Sequence, residues 1–125
     1  MLDLLVDIHS VLRWVVLVAI GGGGAWALLQ APRGTAFHRA PFAAAGVVVD
    51  IQVAIGIAIY LIEGAWRSGA FFAVVHPVAM LAALALIHIG IGRARAREGG
   101  DAYRSVGAAF LFAFILVALG IPWAG

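Results

Sequence analysis

Residues 42–62 read FAAAGVVVDIQVAIGIAIYLI, a run in which Asp50 is the only charged side chain. As a helix rising 1.5 Å per residue, a stretch of this length covers about 30 Å, the thickness of a bilayer's hydrocarbon core. Three further runs of the same kind lie on either side of it, at about residues 4–29, 70–92 and 105–121. Between them, residues 30–41, 63–69 and 93–104 hold the Pro, Gly and charged residues of turns. In hydrocarbon each span must satisfy its own backbone polar groups, so each is expected to be helical. Short connections favour antiparallel neighbours. The sequence therefore predicts an all-α protein: a four-helix transmembrane up-down bundle, one domain over residues 1–125, with the lipid bilayer as its first partner.

Composition leads to the same place. The chain is 65% hydrophobic and 11% charged, where a soluble domain carries roughly 25% charged residues. A chain of 125 residues has too much surface to hide that deficit in a core. There is no cysteine, which excludes disulfides, covalent c-type haem attachment and Cys-ligated clusters. A net charge of +2 without a basic face gives no footprint for nucleic acid. The first residues carry Asp3 and Asp7, not a basic leader, so the first run reads as a retained helix.

All eight basic residues are arginines. The first and third connections hold Arg33, Arg39, Arg93, Arg95, Arg97 and Arg104, and the second holds only Arg67. The positive-inside rule then places the first set in the cytoplasm and both termini outside. Trp66, Tyr103 and Trp123 stand where aromatic belts stand, near the expected interfaces.

A polar side chain inside a span is costly and is a functional-site candidate by default. His9 and Arg13 lie in the first span, Asp50 and Gln52 in the second, His76 and His88 in the third. His9 and His76 sit about five and six residues into spans that run in the same direction, so they share a depth. Two imidazoles at one depth in a bundle suit the axial positions of a haem. The competing reading gives each imidazole a hydrogen bond to a neighbouring helix. Arg13, one turn from His9 on the same face, needs a partner: a haem propionate, a quinone oxygen or an acid such as Asp7. Met80, one turn from His76, is a further thioether on that face, more often core filling than ligand. Pro77 is close enough to the start of the third span to be tolerated.

His88 lies twelve residues beyond His76, about 18 Å along the helix, and cannot share its iron. Asp50 is at a comparable depth, and an Asp50–His88 pair suits a proton relay, a quinone headgroup or a structural bond between helices. Gln52, Gly56 and Tyr60 share one helical face and form a polar strip. The four glycines 21–24 remove bulk from the first span and favour close helix approach.

The motif His-Ser-Val-Leu-Arg-Trp at 9–14 resembles the opening of small bacterial four-helix membrane proteins labelled cytochrome b-like. Asp50-Ile-Gln52 with Gly56 and Tyr60 fits their pattern, as do His76-Pro77-Val-Ala-Met80 with His88, and the closing Ile121-Pro122-Trp123. The resemblance covers nearly the whole chain. It implies a multi-pass protein of the bacterial cytoplasmic (inner) membrane, with haem b held by His9 and His76, assisted by Arg13. It also implies electron transfer with a quinone or a larger redox complex. The other readings are a cofactor-free accessory subunit of a respiratory or photosynthetic complex, or a proton pathway through Asp50, His88 and Arg13 that needs a homo-oligomer. No nucleophile–base constellation and no phosphate-binding loop is present to suggest a hydrolase or transferase.

Overall fold

The computed structural model describes residues 2–121 and is all-α. Helix α1 spans Leu2–Gln30 and ends in a 3₁₀ turn at Ala31–Arg33. Helix α2 spans Ala40–Glu63. A 3₁₀ turn at Ala65–Arg67 and a π-helical turn at Phe71–Val75 lead into α3, His76–Arg95. Helix α4 spans Gly99–Leu119. Counting the short turns continuous with them, all four helices are long and apolar enough to cross a membrane. Each packs on its neighbours in sequence, and α4 closes the ring against α1.

The ends follow local rules. Pro41 opens α2, where a missing amide costs nothing. Gly64 closes it in the left-handed conformation, φ 68°, its amide bonding the Tyr60 carbonyl. The helices overrun the apolar spans at the Arg-rich end: α3 continues to Arg95, and α4 begins at Gly99 instead of Ser105. Hydropathy marks only the part that meets hydrocarbon. Arg93, Arg95, Asp101 and Arg104 extend the helices into the polar layer, where they are exposed.

Small residues set the packing. A Cβ on Gly21 would stand 2.9 Å from the Phe114 ring, and one on Gly24 would stand 3.1 Å from Leu111 and Phe110. The glycine run thus brings α1 against α4, as close packing requires. Gly90 does the same for α3, where a Cβ would overlap that of Ala109. By contrast, Gly22 meets nothing within 4 Å. Outside, Val18, Leu29, Leu61, Phe112 and Leu119 are each more than 60% exposed. A soluble monomer rarely displays an apolar surface on this scale, and a lipid environment removes its cost.

One aromatic belongs elsewhere than its sequence position suggests. Tyr103 is 1% exposed, not part of a surface belt. Its hydroxyl donates to the Ala36 carbonyl at 2.9 Å, and its ring packs on Trp26, Phe37 and Phe42. The aromatic cluster holds the 34–39 connection down on the bundle. Trp66 is exposed at the opposite end, and Trp123 lies outside the described residues.

Gly90→Val is expected to cost about 1–3 kcal/mol by overpacking the α3–α4 contact, whereas Gly22→Ala should stay within about 0.5 kcal/mol of the parent. Thermal unfolding in detergent, followed by helical circular dichroism, checks both. Equal losses would mean that the glycines act through helix propensity and not through packing.

Candidate functional site

At the end of the bundle where α2 ends and α3 begins, the helices part around a cavity of about 950 Å³. Its walls are mainly apolar, with Val16, Val53, Ile57 and Leu81 among them. His9, Arg13, Gln52, Tyr60 and His76 also line it, and so does Met80. The cavity lies within the size range of pockets that take small ligands, and its few polar groups converge from three helices.

His76 owes its position to an irregular start of α3. The π-helical turn at 71–75 adds a residue to the local turn just before it, and such turns recur at functional sites. Phe71 and Phe72 flank the His76 ring, with centroids 6.3 and 6.2 Å away. Pro77 then removes the amide that would bond the Ala73 carbonyl four residues back. Tyr60 repairs the loss from α2: its hydroxyl donates to Ala73 O at 2.9 Å. Pro77 is therefore tolerated by a cross-helix bond, and not only by its place near a helix start.

The last carbonyls of a helix have no donor within it. Gly120, at the end of α4, presents one of these, and His76 Nδ1 lies 2.7 Å from it. A carbonyl only accepts, so Nδ1 carries the proton. In the neutral ring Nε2 then holds the free lone pair, the form a metal ligand needs.

His9 reaches the same cavity from α1. Its ring centroid is 6.3 Å from that of His76, with the planes at 84°. Gly56 makes room for it on α2: a Cβ there would stand 3.1 Å from His9 Cε1. Gln52, buried at 9% exposure, donates from Nε2 to the His9 carbonyl at 2.7 Å. Among the described residues, three buried polar atoms in this wall have no hydrogen-bond partner: His9 Nδ1, Arg13 Nε and Gln52 Oε1. Each such atom costs about 1–3 kcal/mol if it stays unpaired. His9 Nδ1–H and Gln52 Oε1 are complementary as donor and acceptor. Arg13 Nε is left as a donor at the cavity wall. Its guanidinium lies 5.0 Å from the Trp14 ring, and no ion pair joins it to Asp7 among the described residues.

Asp50 and His88 are not part of this cavity. His88 Nε2 and Asp50 Oδ1 are 2.7 Å apart, bridging α2 and α3 nearer the Arg-rich end. Their side chains are 45% and 51% exposed on the outside of the bundle. The structure thus brings His9, Arg13, Gln52 and His76 together and sets Asp50 and His88 apart. Sequence reasoning missed the Gly120 carbonyl, a backbone atom with no residue-type signal. It also missed the Tyr60–Ala73 bond, for which Pro77 was the available clue.

No protein-family model, curated protein or solved structure matches this chain. The likeness to cytochrome b-like proteins therefore rests on its motifs. The four-helix membrane bundle is the part of that likeness the structure bears out. Among the described residues, no group of three or more His, Cys, Asp or Glu side chains comes together to hold a metal ion by protein ligands alone.

Tyr60→Phe should destabilise the protein by about 1 kcal/mol. In a Pro77→Ala background the same change should cost less, because residue 77 regains an amide. A double-mutant cycle of unfolding in detergent measures the coupling, and strict additivity would mean that Tyr60 does not act on the carbonyl freed by proline.

Proposed function

We propose that this integral membrane protein binds a planar, lipid-soluble ligand in the cavity between His9 and His76, and that b-type haem is that ligand. The observation that carries the reading is the pair of imidazoles facing one cavity with centroids 6.3 Å apart. A macrocycle brings its own equatorial ligands, so it asks the chain for only two. The Gly120 carbonyl on His76 Nδ1 supports the reading, since it leaves Nε2 as the ligating atom. The unpartnered Arg13 Nε–H supports it too, as a donor for a carboxylate or carbonyl on the ligand.

In this reading His9 and His76 hold the iron, Gln52 orients His9, and the apolar walls exclude water. Bound haem supplies a reversible one-electron couple, and two nitrogen ligands favour electron transfer over oxygen chemistry. The exchange partner is then a quinone in the lipid or a larger redox complex. With the arginine-rich connections taken as cytoplasmic, this reading puts the cavity toward the outer face of a bacterial inner membrane, with both termini outside.

A second reading rests on a different observation, the half-exposed Asp50–His88 pair on the bundle's outer surface. It makes the chain a cofactor-free accessory subunit of a respiratory or photosynthetic complex, or part of a proton pathway. In that case the cavity polar groups serve helix packing.

The visible spectrum of the protein, purified in detergent after expression with ample haem, decides between the two. The expected result is a sharp reduced α-band and a shifted Soret band. His9→Ala and His76→Ala should each reduce bound haem at least about tenfold, while Met80→Leu should retain it. A colourless protein of unchanged helical content would sink the haem reading and leave the second.

A further inference from the structure

The cavity does not explain Asp50 and His88. Counted along the helices, Asp50 is about 15 Å from the Ala40 end of α2, and His88 is about 10 Å from the Arg95 end of α3. Both lie within the hydrocarbon depth, yet both are about half exposed on the outside of the bundle. Ionisable groups at this depth are expected to face protein or a water-filled space, not lipid.

The chemistry of the pair says what covers it. In hydrocarbon a net charge is far more costly than a neutral pair. The pair has two neutral forms: imidazolium with carboxylate, or imidazole with carboxylic acid. In the first, both ring nitrogens carry protons. In the second, the acid donates to Nε2, so the imidazole proton is on Nδ1. Either way His88 keeps a spare donor, Nδ1–H, and Asp50 keeps a spare acceptor, Oδ2. A surface with one spare donor beside one spare acceptor is complementary to itself across a twofold axis.

The surroundings suit close approach. Val47 and Ala54 lie on the same side of α2 as Asp50, and Ala85 and Gly92 on the same side of α3 as His88. All four except Val47 are small, and all four are exposed. Gly92 has no internal reason to be glycine: a Cβ there meets nothing within 4 Å. Glycine at such a place costs the helix about 1 kcal/mol against alanine, and close contact with an outside helix is a reason to keep it.

We propose that the α2–α3 face carrying Asp50 and His88 is where two copies of this chain meet in the membrane, with each copy's His88 Nδ1–H donating to the other's Asp50 Oδ2. The interface closes a ring of four side chains that one copy leaves open. The proposal does not depend on what the cavity binds.

The chain has no cysteine, so a single introduced thiol reports proximity cleanly. Ala85→Cys protein, reconstituted in phosphatidylcholine/phosphatidylglycerol vesicles and oxidised, is expected to form a disulfide dimer. Val18→Cys, 73% exposed on α1, is the reference and should not. Adding Gly92→Leu to Ala85→Cys should lower the dimer yield about tenfold without changing helical content. Asp50→Leu together with His88→Leu should also lower it at unchanged helical content, since an apolar replacement avoids an unpaired buried charge and removes the hydrogen-bonding ring. Ala85→Cys yields no higher than those of Val18→Cys, or yields unmoved by Gly92→Leu, would overturn the proposal. So would an Ala85→Cys adduct with a different protein in native membranes and none between copies. The visible spectrum of the same samples tests the cavity reading separately, so the two proposals stand or fall on different data.

Discussion

A backbone carbonyl inside a bilayer has no water to turn to, and the whole of this bundle is arranged around that constraint. Regular helices meet it by themselves. The irregular places do not, and there are two in the cavity wall. Pro77 leaves the Ala73 carbonyl without its amide, and the end of α4 leaves the Gly120 carbonyl without a donor. Tyr60 answers the first and His76 the second. Both answers come from side chains that also line the cavity. The repair of the backbone and the construction of the site are therefore one event, and the His76 tautomer is fixed as a by-product.

The fold was legible because hydrocarbon leaves few choices. Runs of about 20 apolar residues can only be spanning helices, and the connections at 30–41, 63–69 and 93–104 announced themselves by Pro, Gly and charge. What hydropathy could not see was the polar overrun of α3 and α4, because water and helix are compatible there. Nor did it see Tyr103, whose burial depends on three aromatic partners from three other segments. Position along the chain says how deep a residue lies, not which way its helix is turned.

The site was legible in part for the same reason. Depth put His9 beside His76, and helical period put Gln52, Gly56 and Tyr60 on one strip, so the cavity's main polar residues could be named. That the two imidazoles line one cavity needs the way α1 is turned about its axis and the π-helical turn before His76. Neither has a residue-type signature: Phe71–Val75 reads as an ordinary apolar turn. Of the partners open to Arg13, Asp7 is not paired with it among the described residues, since it lies six residues back on a different face of the helix. Arg13 instead lies against the Trp14 ring and presents Nε to the cavity wall.

The seam between α2 and α3 carries both polar features, and their order along it matters. Toward the Arg-rich end Gly46 lets α3 close in, with a would-be Cβ only 3.3 Å from Ile91 and 3.8 Å from His88. The Asp50–His88 bond pins the helices just beyond that contact. Past the pin the cavity opens, where α2 ends and α3 begins. There Tyr60 spans the gap to Ala73. Two helices held only by apolar contact would close such a space, because an empty cavity forfeits dispersion on every wall. A polar pin at one end and a hydroxyl bridge at the other fix their separation without filling it. The Asp50–His88 pair thus joins the same two helices that wall the cavity, though it touches none of the groups inside.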